Sequence, residues 1–438
     1  MLSLVLVVSL CMEDAQQTGA GTTNKPCGVT LLVPGIAWDG PQSQNREADS
    51  SHETRKNWVT LIEYLKNQGH SFGGHIRPHG ARIRLPECLE IAKEGLDDPR
   101  SATLFVMEFS PAANSDGLAF RALELAECLK ELHRYTERPV RIVAHSAGGL
   151  VARVVLQRAC PGIHYDGEAD RLITIGTPHL GTALATNFGS MLGLHVSSLR
   201  PDAELIHRLN TMELPIDCCY TSVVIRGICD GARGEGLAYD RFIDPELRTS
   251  IDDLPIDYRC GSDEVVHVRA ANLRFTDCAR KYEAASARAV QSIIVRVPPP
   301  TKSGLFSGRT IHVAALDHPS VHEWVNQLLV DDAEFWTGAR ADRLERWIHC
   351  QAESAAFSAI ESHVLQTNRL REVTAVDVQS LERDNETAEA RCYRFAGIAR
   401  SRGFVAHETA VEGRLELTFD RFGRVVTTRY QVTKATER

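Results

Sequence analysis

One serine of this 438-residue chain lies where its hydroxyl could act as a nucleophile. Ser146 follows a run of β-branched residues and precedes an amphipathic stretch, within the segment 141–150 (RIVAHSAGGL). A serine hydroxyl is a weak nucleophile until a base takes its proton, and a tight strand-to-helix turn exposes it beside the first helical amides. Ala144 and Gly148 are small, as the close approach of strand and helix requires. The segment therefore predicts a nucleophile elbow at Ser146.

The elements that must position this elbow alternate between short β-branched runs and amphipathic helices. Such alternation is typical of a mostly parallel sheet covered by helices. The first helix carries one apolar stripe from Trp58 to Leu65 and ends at Gly69. Residues 70–100 are predicted to form an inserted loop or hairpin outside the core. The predicted strands cover residues 29–33, 103–108, 140–143, 172–175, 222–225 and 311–314, and a final helix passes through 321–329.

Three segments of the chain resemble those of α/β-hydrolases of the lipase and esterase kind. The elbow reads A-H-S-A-G at Ala144–Gly148, where the family usually carries G-H-S-x-G. Val33–Ile36 (VPGI) is similar to the family's oxyanion loop, and Thr174–Thr182 (TIGTPHLGT) to the segment after the next strand. The resemblance covers residues 29–330. It implies an α/β-hydrolase fold and a serine carboxylic ester hydrolase, a lipase or esterase, that forms an acyl-enzyme and needs no cofactor or metal.

The resemblance also assigns roles around the serine. The backbone amides of Ile36 and Ala147 would form the oxyanion hole, and each such donor is worth about 3 kcal/mol of transition-state stabilisation. His145 belongs to the elbow itself. His179 lies in the segment after the next strand, and we expect it to be structural.

The catalytic base should be a histidine after the last strand and before the final helix, because the fold delivers the triad in the order serine, acid, histidine. His318 has that place in the sequence, and an imidazole with a pKa near about 6.5 can take and return a proton near neutrality. His322 and His312 are the alternatives. His312 is the weaker of the two because it lies inside the run predicted as the last strand.

Two aspartates compete to orient that base. Asp263, in G-S-D-E-V-V, resembles the family's D-G-V-V element, with Glu264 in place of the usual glycine. Asp230 follows the strand at 222–225 more directly. The two valines and the A-A-N-L that follows them favour Asp263.

Charge divides the chain into two parts. The net charge is -8, yet residues 341–438 hold 15 basic and 15 acidic side chains, so the whole excess lies in residues 1–340. We therefore predict a catalytic domain at 27–340 and a small α+β appendage at 341–438, in which a helix precedes strand-like runs.

Residues 182–215 contain loosely spaced apolar residues and are predicted to form a lid or cap, with a packed helical excursion as the alternative. The acidic balance favours a neutral or apolar ester substrate over a strongly anionic one.

The ends and the remaining histidines suggest location and rival functions. Leu2–Met12 is apolar but too short to span a membrane, which favours a signal peptide within a 1–26 lead and a secreted or periplasmic protein. Because no basic flank precedes it, a buried first strand and a cytoplasmic location are the alternative. A nucleic-acid partner is not expected, because basic clusters are lacking and aromatic residues make up only 6% of the chain. We expect small-molecule or lipid esters as substrates, with transient contact to a lipid interface. Thioesterase or amidase activity, a catalytically silent binding protein, and a metal site at His70, His75 and His79 are the alternatives.

Overall fold

The computed structural model describes the chain in separate stretches, and all structural statements below concern them. They are residues 28–35, 50–78, 83–91, 98–110, 117–185, 197–227, 262–286, 288–298, 310–330, 341–367, 372–386, 390–402, 406–419 and 425–437.

Eight strands form one large sheet. They are β1 (Val29–Val33), β2 (Phe72–Ile76), β3 (Leu89–Ile91), β4 (Leu104–Met107), β5 (Val140–His145), β6 (Ala169–Ile175), β7 (Cys219–Arg226) and β8 (Gln291–Arg296). Their order across the sheet is β3-β2-β4-β1-β5-β6-β7-β8. All neighbours are parallel except β2 and β3, which form an antiparallel pair at one edge. The carboxyl ends of the parallel strands therefore meet along one edge, where loops can bring side chains together.

Helices follow most of these strands. They are α1 (Ser50–Asn67), α2 (Leu118–Thr136), α3 (Ala147–Leu156), α4 (Glu204–Thr211), α5 (Val268–Ala271), α6 (Asp277–Ser286), α7 (Ile311–Ala314), α8 (Pro319–Val330) and α9 (Ala341–Thr367). Short 3₁₀ turns occupy Pro99–Ser101, Leu273–Phe275 and Ala315–Asp317.

The main core lies on both faces of the large sheet. Successive side chains of a strand point to opposite faces, and β1 shows the result. Leu31 packs into the apolar cluster that includes α2 and α3, whereas Leu32 packs into the cluster that includes α1 and α8. Because both faces are covered, β1 and β4 are apolar along nearly their whole length, as central parallel strands are.

A second sheet follows α9 and contains β9 (Glu372–Glu386), β10 (Ala390–Arg402), β11 (Ala406–Phe419) and β12 (Val425–Glu437). Its order is β12-β11-β10-β9, with every neighbouring pair antiparallel. Small residues on α9, among them Ala352, Ala356 and Ala359, let this helix pack closely on one face of the sheet. This separate sheet lies entirely within residues 341–438, where the charge balance changes.

The two sheets are joined by buried contacts made by α9. Ile348 packs into the cluster beneath α1 and α8. The guanidinium of Arg226, in the last position of β7, donates to the carboxylate of Glu361 at 2.7 Å, and both side chains are 1% exposed. The guanidinium of Arg296, at the end of β8, lies 3.4 Å from the centre of the Phe357 ring. The helix is therefore anchored to the ends of two neighbouring strands of the large sheet.

Two sequence predictions about elements are wrong. Residues 311–314 form the single helical turn α7, and the last strand of the large sheet is β8 at 291–296. The region between α1 and β4 does contain a hairpin, but its first strand joins the large sheet beside β4 and buries Ile76 in the core. In the described stretches, no helix is long and apolar enough to cross a membrane.

Candidate active site

Ser146 occupies the tight turn between β5 and α3. Its backbone has φ 55° and ψ -134°, a conformation that side chains other than glycine rarely adopt. The turn is held in place because the Ser146 N–H donates to the Ile175 carbonyl at 2.9 Å, and the Thr177 hydroxyl donates to the Ser146 carbonyl at 2.8 Å. Strained backbone that is fixed on both sides is characteristic of a site where a side chain must be presented in one position.

Small residues allow the loop after β1 to pass directly beside the serine. A Cβ atom placed on Gly35 would lie 2.7 Å from the Ser146 Cβ and 3.3 Å from its hydroxyl. A Cβ placed on Gly148 would lie 2.5 Å from the Pro34 carbonyl oxygen. The start of α3 and the end of β1 are therefore in contact. The first amides of a helix have no carbonyl one turn earlier to bond, so the Ala147 N–H can donate to a reacting oxygen at this point.

A buried arginine donates a hydrogen bond to the loop after β1. Arg121 of α2 donates to the Gly35 carbonyl at 3.2 Å, and its side chain also lies over the ring of Phe109. Burial lowers the pKa of Arg121 to about 10, which leaves the guanidinium charged at neutral pH. Sequence reasoning missed this residue because nothing in the pattern of α2 distinguishes it from an exposed arginine.

An aspartate and a histidine are paired next to the elbow. The Nδ1 atom of His312 lies 2.6 Å from the Oδ2 atom of Asp263, and the two side chains are 7% and 1% exposed. The other ring nitrogen, Nε2, is buried and has no hydrogen-bond partner among the described residues. With the Nδ1 proton donated to the carboxylate, Nε2 carries the free lone pair and can accept a proton. This is the arrangement that a general base requires.

Asp263 is held by its own loop. Its Oδ1 atom accepts the backbone N–H groups of Val265 and Val266, at 3.0 and 2.7 Å. Its backbone carbonyl accepts the N–H of His312 at 3.0 Å. A Cβ placed on Gly176 would lie 3.1 Å from Oδ2 of Asp263, so only glycine at the end of β6 leaves room for the pair. The carboxylate is therefore positioned before any substrate binds.

His145 lies directly before Ser146 and stacks on His312. The two ring centres are 4.6 Å apart with the planes tilted by 38°, and Trp58 meets the His145 ring edge-on. Burial, with a further contribution from the nearby His312, holds the pKa of His145 well below its ordinary value, so the ring is neutral. Its Nε2 atom lies 3.1 Å from the His312 carbonyl oxygen, to which it can donate. The stack therefore places the His312 ring against the residue that precedes Ser146.

Residues 117–197 match the family model described as the PGAP1-like alpha/beta domain. The matched stretch runs from α2 through β5, the elbow and β6, in the middle of the mostly parallel sheet. The order of the sheet and the matched stretch agree with the α/β-hydrolase fold that the resemblance implies. No curated protein matches it significantly.

Several solved structures align with this chain. The lin2722 gene product of Listeria innocua is 13% identical, covering 69% of this chain and 93% of its own, with a TM-score of 0.39. The mature lipase BlEst2 of Bacillus licheniformis is 16% identical, covering 59% and 84%, with a TM-score of 0.31. Phospholipase PlaB of Legionella pneumophila is 12% identical, covering 89% and 85%, with a TM-score of 0.40. The structures that align thus include lipases and a phospholipase.

The geometry favours His312 over His318, the histidine that the sequence favours. His312 bonds Asp263, whereas His318 lies beyond the 3₁₀ turn, half-buried, with its backbone N–H bonded to Ala315. His322 is bonded through Nε2 to the Leu316 carbonyl at 2.6 Å. The preference for His318 followed from treating 311–314 as a strand, which is wrong. The run 292–297 (SIIVRV) is richer in β-branched residues, and assigning it as the last strand would have made His312 the first histidine after that strand.

Other predicted residues have separate outcomes. His179 is fully buried and bonded to Thr174 through the imidazole at 3.0 Å, which fits a structural role. Ala144 is fully buried in β5. Ile36, Asp230 and His79 lie outside the described residues. In the predicted lid, α4 packs Ile206 and Leu209 into the main core, and residues 186–196 lie outside the described stretches.

Proposed function

We propose that the protein is a serine carboxylic ester hydrolase in which Ser146 is the nucleophile, His312 the general base and Asp263 the orienting acid. The observation that carries the proposal is the 2.6 Å bond between Asp263 and His312, whose ring stacks at 4.6 Å on the residue before Ser146. A strained serine directly after β5, an aspartate in the chain between β7 and β8, and a histidine after β8 match the roles and the chain order of a catalytic triad. The acid is the one that the sequence favours, and the base replaces His318.

The proposed reaction has two halves. His312 takes the proton of the Ser146 hydroxyl at Nε2 while the serine oxygen bonds the ester carbonyl carbon, and the carbonyl oxygen becomes negative. His312 then returns the proton to the alcohol oxygen as its bond to carbon breaks, which leaves the acyl group on Ser146. In the second half, water gives a proton to His312 as its oxygen bonds the acyl carbon. His312 then passes that proton to the Ser146 oxygen as the bond between this oxygen and the acyl carbon breaks, which releases the carboxylic acid and restores the serine.

The negative oxygen needs hydrogen-bond donors that are in place before it forms. The Ala147 N–H at the start of α3 would be one donor, and the Ile36 N–H is proposed as the second by its place after Gly35. Removing one such donor typically costs about 3 kcal/mol of transition-state stabilisation. Arg121 would act indirectly, since it bonds the Gly35 carbonyl and so fixes the loop that carries the second donor.

For the substrate we propose an ester with an apolar acyl chain, either a small molecule or a lipid. The net charge of -8 lies entirely within residues 1–340, which disfavours a strongly anionic substrate. Residues 182–215 remain our proposal for the segment that covers the acyl chain.

Hydrolysis of p-nitrophenyl esters by the purified protein tests the proposal. We expect Ser146→Ala to lower kcat/KM by a factor on the order of 10⁶, because the variant has no nucleophile. Ser101→Ala is the matched control, since Ser101 is exposed and lies far from the elbow in sequence. Near-wild-type turnover by Ser146→Ala would overturn the proposal. A chain-length series measured below and above micelle formation then separates a lipase from an esterase, and thioester and amide analogues test the other acyl bonds.

A further inference from the structure

Glu264 adopts a backbone conformation that its side chain disfavours. Its φ is 73°, in the left-handed region where glycine is the usual residue. The segment resembling D-G-V-V carries glycine at this position, whereas this chain carries glutamate. A glutamate kept at an unfavourable φ calls for a compensating interaction.

The Glu264 side chain makes that interaction with the start of α7, the helical turn that carries His312. An oxygen of the Glu264 carboxylate accepts the backbone N–H of Ile311 at 2.8 Å. Ile311 is the first residue of α7 and directly precedes His312. The Glu264 N–H is itself bonded to the Ser262 hydroxyl, so the residue is tied at both its backbone and its side chain.

The first three backbone N–H groups of α7 all donate hydrogen bonds. Two of their acceptors belong to residues 262–266, the acid loop, which contains Asp263. Glu264 accepts from Ile311, the Asp263 carbonyl accepts from His312 at 3.0 Å, and the Thr310 hydroxyl accepts from Val313. A helix of one turn has few bonds of its own, so these caps decide where it lies. The negative carboxylate also suits the amino end of a helix.

We infer that Glu264 is a positioning residue for the general base, an inference that rests on the proposed function. Asp263 holds the imidazole at Nδ1, while Glu264 holds the backbone that carries it, so both bonds come from adjacent residues of one loop. Without the Glu264 carboxylate, α7 would keep its two bonds to Asp263, through the imidazole and the His312 N–H, but could tilt about them. A displacement of about 1 Å of a catalytic group can cost 10²-fold in rate.

The test compares Glu264→Gly and Glu264→Gln with wild type. Glycine relieves the unfavourable φ and removes the bond to Ile311, so we expect an unchanged or raised Tm together with a kcat lowered by about tenfold to a hundredfold and a small change in KM. Glutamine keeps an acceptor oxygen and should restore most of kcat. A lowered Tm that parallels the loss of kcat in Glu264→Gly would indicate a merely structural role and overturn the inference.

Glu137→Gly is the matched control. Glu137 also has a positive φ, 55°, and is exposed at the end of α2. Replacing it by glycine should relieve the same kind of strain, raise the Tm and leave kcat unchanged. A matching loss of kcat in this variant would mean that the Glu264 effect is not specific to the site.

A measurement independent of turnover separates this inference from the proposed function. The proton shared by His312 and Asp263 in a short bond should give a strongly deshielded proton NMR signal in the wild-type protein. We expect that signal to shift or broaden in Glu264→Gly and to persist in Glu264→Gln and Glu137→Gly. If the signal responds in this way but the wild type hydrolyses no ester, the proposed function fails and the positioning role stands. An unchanged signal with unchanged kcat in Glu264→Gly overturns the positioning role.

Discussion

The imidazole of His312 has the two features a general base needs, a carboxylate on one nitrogen and a buried lone pair on the other. We therefore expect His312→Ala to lower kcat/KM by about 10⁴-fold or more, as loss of a triad member does. His318→Ala should stay near wild type, because that ring is half-buried beyond the 3₁₀ turn and does not bond Asp263. Steady-state hydrolysis of a p-nitrophenyl ester by the two variants decides between them. The reverse ranking would restore His318 as the base.

Residue types and spacing were enough to predict the turn at Ser146 and to favour the aspartate that the structure pairs with a histidine. Ser146 is marked by local sequence alone, since strand, small residues and helix lie within ten positions of it. His312 is not, because its role depends on which distant strand precedes it and on a bond to Asp263 that spans 49 positions. The resemblance marks Glu264 only as a glutamate in place of the usual glycine, and its bond to Ile311 spans 47 positions and cannot be inferred from its neighbours.

At the scale of elements, the elbow depends on how closely β1 approaches the start of α3. We expect Gly148→Ala to destabilise the protein by about 1–3 kcal/mol, as overpacking does, because its Cβ would lie 2.5 Å from the Pro34 carbonyl oxygen. Pushing that backbone away also moves Gly35 from Ser146, so kcat should fall by about 10²-fold. Urea unfolding and ester hydrolysis measure the two effects.

Gly69→Ala separates stability from activity. Gly69 has φ 95° at the end of α1, and a Cβ there would meet nothing within 4 Å. The substitution should cost about 1–2 kcal/mol through backbone strain alone and leave kcat unchanged. If Gly69→Ala lost as much kcat as Gly148→Ala, the loss would reflect general destabilisation rather than the position of β1.

The long periodic helix α1 could be predicted from sequence, and the one-turn helix α7 could not. The stripe from Trp58 to Leu65 is buried in α1 as expected, because four apolar positions on one helix face leave little choice of packing. The four residues of α7 contain two β-branched side chains and suit a strand equally well. Their helical turn is set by caps from Glu264, Asp263 and Thr310, and two of these are tertiary contacts.

At the scale of the whole molecule, the second sheet is tied to the strands that lead to the acid loop. Arg226 ends β7, and the next residue, Gly227, donates its N–H to the Ser262 carbonyl at 2.9 Å, one residue before Asp263. The Arg226 side chain bonds the carboxylate of Glu361 in α9. The position of α9 and the position of the acid loop are therefore linked through two consecutive residues.

Breaking the buried ion pair between Arg226 and Glu361 should cost more stability than the intact pair contributes. Glu361→Gln leaves the Arg226 charge buried without the Glu361 carboxylate, and breaking a buried pair in this way costs about 3–5 kcal/mol. The double variant Arg226→Met/Glu361→Met removes both charges and should recover most of that loss, since apolar replacement of a buried pair is often neutral. Glu408→Gln breaks the exposed pair with Arg400 in the same sheet and should leave the urea midpoint unchanged. A Glu361→Gln midpoint equal to that of Glu408→Gln would show that α9 is held without the ion pair, by the apolar packing of Ile348 and the contact of the Phe357 ring with Arg296.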